Sequence, residues 1–332
     1  MNEMENTAVV TAAAEEKEPK KPGGNKKGLK RRTWAIIFYS AMMAIPVIQF
    51  VVMYIGVNLN SILLAFKEYD LNTGGYIYSG TVNFEKVIEE IANTQFLRTI
   101  GNSLIVFLFT MFLNLPLSVI FSYYIFKKFP GNKFFRVALY LPCIVSSVVM
   151  VTIYLYLMEE AVPELIALLT GGDRPDGYIS DPATAMWTLI LYNVFFSFGT
   201  ITMIFSSSMS SINTSVMEAA TLDGCGLFQE FVYIVFPLSF NVIKLQMIVA
   251  LVGIFTNQLN LYTFFGLDAS PRLYTLGYYL YRGTLYDGRA GYPFYAAMGL
   301  LFSVVAIPII FAFRSLFDKW DPSVEKKGKV KA

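Results

Sequence analysis

The side chains that usually carry chemistry are scarce in this chain. Histidine is absent, and Cys143 and Cys225 are the only cysteines. Structural zinc sites and His-based triads are therefore excluded. Cys143 falls in an apolar run and Cys225 in a polar loop, so both read as small, weakly polar fillers and not as a disulfide. Gly23 and Gly28 have the glycine spacing of a phosphate loop, but Leu29 and Lys30 stand where Lys and Ser/Thr are required. What remains is neutral hydrogen bonding. Asn257, Gln258, Asn260 and Tyr262 interrupt one apolar run, and Tyr192, Asn193, Thr200 and Thr202 interrupt another. Amides are costly in lipid, so these groups should face a bundle interior or a wet cavity. The bland alternative is hydrogen bonding between helices, which Asn and Gln also provide.

The elements that position them follow from composition. Of 332 residues, 55% are hydrophobic and only 15% charged. A soluble domain usually carries about a quarter charged residues. The apolar excess gathers into runs of roughly twenty residues, the length that crosses a hydrocarbon core. Six such runs predict an all-α polytopic membrane protein, with spans over Trp34–Ile55, Leu104–Phe126, Val137–Leu157, Ala185–Phe205, Val242–Phe265 and Tyr295–Phe313. Helices are required because a lone segment in lipid must satisfy its own backbone. Residues 1–33 are polar and read as a disordered tail, too long and too mixed in charge for a signal peptide. Residues 34–315 form the transmembrane domain, and 316–332 a basic tail. Most Lys and Arg fall with the termini and with Lys127, Lys128, Lys133 and Arg136, which predicts both termini in the cytoplasm of a multi-pass cell-membrane protein. No span shows an obvious buried charge, which argues against proton or sodium coupling and against a charged cargo.

The longest interruption on the cytoplasmic side is 211–240. Ser215 and Glu218 have capping-box spacing, with Ser211 or Asn213 as alternative N-caps. Val216, Ala219, Ala220 and Leu222 give a short helix whose alanines permit close approach of a neighbour. Asp223-Gly224 is a turn signal. Leu227, Phe228, Phe231, Ile234 and Val235 then have helical apolar spacing, and Pro237 is expected to break or kink the chain before the fifth span. Residues alone leave two readings open, an interfacial linker and a docking element.

Glu218, Ala219, Ala220, Asp223, Gly224, Phe231, Ile234 and Pro237, at these intervals, resemble the EAA loop of binding-protein-dependent ABC importer permeases. Cys225, Phe236 and Asn241 depart mildly from that pattern. Leu64–Tyr69, Val82-Asn83-Phe84, Phe134-Phe135-Arg136, Leu141-Pro142, Ser146 and Phe313-Arg314 resemble, in order, landmarks of the maltose-type sugar permeases. The resemblance implies a type I ABC importer permease fold and no enzyme activity in this chain. It also implies a coupling helix seated in a cleft of a cytoplasmic ATPase, with ATP and Mg on two such partner subunits. Further partners are a second homologous permease, an extracellular sugar-binding protein and membrane lipid, with no nucleic acid. Asp223 would either cap the second helix or meet a basic residue of the partner. The implied cargo is a sugar, whose pathway needs neutral hydrogen-bonding groups, and Asn257, Gln258, Asn260, Tyr262 and Asn193 are the candidates. A peptide, polyol or glycerol phosphate as cargo, and a stand-alone secondary carrier, are the alternatives.

Overall fold

The computed structural model describes residues 26–320. The tails expected over 1–33 and 316–332 lie largely outside that range. Where they are described they are helical, because α1 begins at Lys26 and the last helix runs to Trp320. Lys, Leu and Arg next to an apolar run are good helix formers and extend it.

The chain divides into two units at Asn60/Ser61. In the first, α1 (Lys26–Gln49) passes through a π-helical turn at Phe50–Gly56 into α2 (Val57–Leu64), whose end belongs to the second unit. The stretch Arg32–Leu64 is long and apolar enough to span a membrane. The second unit opens with a small antiparallel hairpin, β1 (Lys67–Asp70) and β2 (Gly75–Tyr78), with Asp70 opposite Gly75. This hairpin departs from the all-helical expectation. It is followed by α3 (Val82–Ile91), whose buried Asn83 donates to the carbonyls of Ala65 and Lys67 at 3.0 and 2.7 Å.

The second span is α4 (Thr94–Phe109) and α5 (Leu115–Phe126), joined by a π-turn at Thr110–Asn114. The expected third span is broken. Here α6 (Asn132–Ile144) meets α7 (Ser147–Tyr156), which continues through the π-turn Leu157–Ala161 into α8 (Val162–Thr170), and the chain bends by 106° at the break. Val145 and Ser146 are extended there (ψ 143° and 138°), just after Pro142 has removed a backbone donor. The fourth span is α9 (Ala185–Ser210). A short α10 (Thr214–Leu222) precedes α11 (Leu227–Glu230), which runs through the π-turn Phe231–Val235 into α12 (Phe236–Thr256). Short α13 (Leu261–Phe265) and α14 (Leu276–Tyr286) lead to α15 (Gly288–Trp320). Among the described residues, five helices are thus long and apolar enough to span, or six with the bent pair counted as one span.

Pro237 does not break its helix, which excludes the first of the two outcomes expected there. Leu227–Thr256 is one continuous 30-residue helix. Pro116, Pro163 and Pro237 all lie in the first two helical positions after a π-turn. A proline ring clashes with the carbonyl four residues back and offers it no N–H. Widening the preceding turn gives the carbonyls other donors, so the helix survives in lipid. The fifth span therefore begins at Leu227 and ends at Thr256, where Val242 and Phe265 were expected.

Helices α5 and α9 meet along a polar seam. Asn114 Nδ2 donates to Ser197 Oγ at 2.6 Å, and Ser122 Oγ donates to Thr202 O at 2.9 Å. Such bonds average about 0.6 kcal/mol in membrane proteins, so they set register more than they set stability. Helix α6 approaches α9 at Gly199, where a β-carbon would lie 2.1 Å from Leu139 O and 2.9 Å from Cys143 Sγ. Cys143 and Cys225 are both free thiols, and Cys143 Sγ lies 3.3 Å from Thr200 Oγ1, as a packing filler should.

The absence of buried charge does not hold. Lys244, inside α12, pairs with Asp318 at 2.7 Å with its side chain only 16% exposed. Glu230 is buried on the same continuous helix. Their partners come from helices distant in sequence, so no local pattern announces them.

Candidate functional site

Two regions collect the predicted residues. The first is the α10–α11 turn. Asn213 is the N-cap of α10, its side chain accepting from the Ser215 N–H at 3.1 Å. Ser215 and Glu218 therefore form no capping box; Glu218 lies beyond the first turn and is exposed. At the other end Gly224 has φ +73°. Its N–H donates to Thr221 O at 3.1 Å, and the Cys225 N–H to Ala220 O at 3.0 Å. These two bonds are the Schellman arrangement, which closes a helix when the residue after the cap is left-handed. Asp223 is the C-cap of α10 and does not cap the next helix. That role falls to Gly226, whose N–H donates to Gln229 Oε1 at 3.0 Å.

The turn presents an apolar surface. Leu222 is 89% exposed and Phe228 79%. Val216, Leu227 and Tyr233 are exposed beside them, and Ala219 lies open on α10. Large apolar side chains left exposed around one turn mark a candidate interaction surface. Beneath it, Ala220 and Val235 are buried, Ile234 is half-buried, and Phe231 packs on the Tyr123 ring at 4.9 Å. Pro237 sits two residues into α12. The predicted set therefore splits. Glu218, Ala219, Asp223 and Gly224 face outward, while Ala220, Phe231 and Ile234 hold the turn to the bundle.

The second region is a cavity of about 490 Å³ between α4, α9 and α12. Asn193, Gln246 and Asn257 supply amides to its lining and Thr110, Ser197, Thr200 and Thr256 supply hydroxyls, and none of its lining residues is charged. Its size lies within the ~300–1,000 Å³ typical of small-ligand pockets. Asn193 and Asn257 both line it. Gln258, Asn260 and Tyr262 do not line it. They lie past the end of α12, where the chain turns sharply: Leu259 and Asn260 have φ +52° and +54°. Asn257 stabilises that turn, accepting from the Leu259 N–H at 2.7 Å through its side chain and from Thr275 Oγ1 at 2.7 Å through its carbonyl. Consecutive left-handed non-glycine residues store strain and cluster at functional sites. Tyr262 stacks edge-on to Tyr281 at 5.1 Å, and Tyr281 lines a separate cavity of about 680 Å³. Sequence reasoning passed over Gln246, Thr110 and Ser197. Gln246 carried the same signal as Asn257, an amide inside an apolar run.

The family described as "Binding-protein-dependent transport system inner membrane component" matches residues 23–326. The chain is 28% identical over 266 residues to the maltose/maltodextrin transport system permease protein MalF of Escherichia coli (strain K12), covering 75% of this chain and 51% of MalF. It is 26% identical over 223 residues to the probable ABC transporter permease protein YesP of Bacillus subtilis (strain 168), covering 67% of this chain and 71% of YesP. The chain thus spans about half the length of the MalF relatives it matches. Among solved structures, a bacterial ABC transporter involved in the import of the acidic polysaccharide alginate superposes with a TM-score of 0.69 at 19% identity, over 87% of this chain and 99% of that one. The same kind of transporter in complex with an alginate pentasaccharide-bound periplasmic protein gives 0.65 at 21%, over 85% and 96%. At these identities the structures speak for the fold. The long apolar helices and the family match over the whole of the described chain agree: this protein belongs to the inner-membrane permeases of binding-protein-dependent transport systems.

Proposed function

We propose that this chain moves a neutral carbohydrate across the cell membrane as one permease of an ATP-driven importer. The observation that carries the reading is the cavity between α4, α9 and α12, whose hydrogen-bonding groups are amides and hydroxyls without a charge among them. A sugar offers many hydroxyls and apolar ring faces. Phe107 and Phe196 in the same lining offer aromatic surface beside the amides. An acidic polysaccharide would need cationic partners, which this cavity lacks. The MalF relatives carry names of maltose and maltodextrin transport, which supports a neutral cargo.

The α10–α11 turn docks a cytoplasmic ATPase, which binds ATP and Mg and supplies the energy. The exposed apolar patch on Leu222, Leu227 and Phe228 supports this, as does the EAA-like spacing of Glu218, Ala219, Ala220, Asp223 and Gly224. The basic bias around Lys127–Arg136 supports placing that face and both termini in the cytoplasm. A second homologous permease, two ATPases and an external sugar-binding protein complete the machine. The test is reconstitution of the complex in liposomes. Uptake of a panel of neutral oligosaccharides should require ATP, the ATPases and the binding protein. Uptake by this chain alone, or preference for a uronic-acid oligosaccharide, would overturn the reading.

A further inference from the structure

Glu230 is the most deeply buried carboxylate among the described residues, with its side chain 4% exposed. Lys127 Nζ lies 3.0 Å from Oε2, and the Tyr123 hydroxyl donates to Oε1 at 3.0 Å. The same hydroxyl lies 3.0 Å from Leu227 O, so its hydrogen is shared between the two acceptors. Tyr123 is on α5 and Lys127 is its C-cap, while Glu230 lies in the first turn of α11. A cation at a helix C-terminus and an anion at a helix N-terminus both favour the backbone dipoles they face.

A buried ion pair is poor evidence for stability, because desolvation offsets much of the attraction. An apolar pair of the same size would fill this space at less cost. What the charged pair adds is a fixed geometry between two elements. Glu230 sits between the outward-facing turn and the π-turn Phe231–Val235, so it grips the turn before the wider helical stretch begins. On the other side α5 packs along α9 through the Ser122–Thr202 bond, and α9 carries Asn193, Ser197 and Thr200 into the cavity.

We propose that Glu230, held by Tyr123 and Lys127, is the tie that carries movement of the α10–α11 turn into the α5–α9 pair that walls the cavity. The proposal rests on the reading of the turn as the ATPase-docking element. Glu230 is a positioning residue: it touches neither cargo nor nucleotide and acts through α5.

The test uses the full complex in liposomes and reads solute moved per ATP hydrolysed. Glu230→Gln keeps the shape and removes the ion pair. We expect a complex that assembles, hydrolyses ATP and moves solute at a ratio lower on the order of tenfold, within the range of ordinary coupling energies. Tyr123→Phe removes one hydroxyl and should lower the ratio in the same direction, by roughly severalfold. A reduced yield of complex with an unchanged ratio would make the cluster merely structural and overturn the proposal. Should Glu230→Gln fail to assemble, Tyr123→Phe decides, and an unchanged ratio in that variant overturns the tie. Ala219→Trp separates this from the docking reading. It should expel the ATPase from the purified complex, and normal ATPase binding and transport by that variant would sink the docking reading itself.

Discussion

Gly224 offers the sharpest test of the turn, because its conformation and not its surroundings demands glycine. Its φ is +73°, and a β-carbon built there meets nothing within 4 Å. A substitution therefore costs backbone energy alone. An ordinary side chain in the left-handed region costs about 1–2 kcal/mol. At about 1.4 kcal/mol per tenfold, Gly224→Ala should cut the population of the correctly turned loop roughly fivefold to thirtyfold. Asn visits this region readily, so Gly224→Asn should cost only tenths of that. Proline fixes φ near −65° and also removes the N–H that donates to Thr221 O at 3.1 Å. That adds about 0.5–1.5 kcal/mol, for a total of about 1.5–3.5 kcal/mol or more. The variants should rank Gly, Asn, Ala, Pro in solute moved per ATP by the liposome-reconstituted complex. The proline variant should still assemble but fail to couple, because the change is confined to an exposed turn. Normal transport by Gly224→Pro, or Ala performing better than Asn, would refute the reasoning.

Other sites give further expectations. Gly199→Leu should lower the thermal midpoint of the purified permease and cost at least about 1–3 kcal/mol, because its side chain must displace Leu139 O and Cys143 Sγ where α6 meets α9. Asn257→Leu removes the acceptor for the Leu259 N–H and should cost about 1–3 kcal/mol at the strained turn, lowering both transport and thermal midpoint. Gln246→Leu removes a polar group from the cavity and should raise the transport KM while leaving the melting curve near that of the parent. Hydrogen bonds from the Asn72 N–H and the Thr73 hydroxyl hold the Asp70 carboxyl below the usual carboxylate range. The sign follows: the hairpin turn has this support above the unfolded carboxylate pKa, near ~4, and loses it as pH falls through the lower folded value. Protection of the Asn72 amide, its exchange measured relative to the intrinsic rate at each pH, should therefore fall only in acid, and a fall between neutral pH and pH ~5 would contradict it.

Much of this protein was legible without coordinates. Apolar runs of membrane length announce themselves because lipid leaves a helix no alternative for its backbone. The turn at Gly224 was legible because Asp-Gly after a short helix is a local signal with a local cause. Helical spacing likewise marked the short helix carrying Ala219 and Ala220, and the structure has a helix there, α10. Tertiary structure decided what depends on partners distant in sequence. It shifted the fifth span to Leu227–Thr256, because a π-turn let the helix pass Pro237. It broke the third span at Val145-Ser146 and sorted the polar residues near the end of α12, sending Asn257 to the cavity and Gln258, Asn260 and Tyr262 elsewhere. It also placed Lys244 against Asp318 and Glu230 against Tyr123 and Lys127, pairings separated by up to about a hundred residues. Helical periodicity and turn chemistry are encoded by near neighbours in the chain. The partner of a buried charge is set by how whole helices pack, and only the folded bundle contains that information.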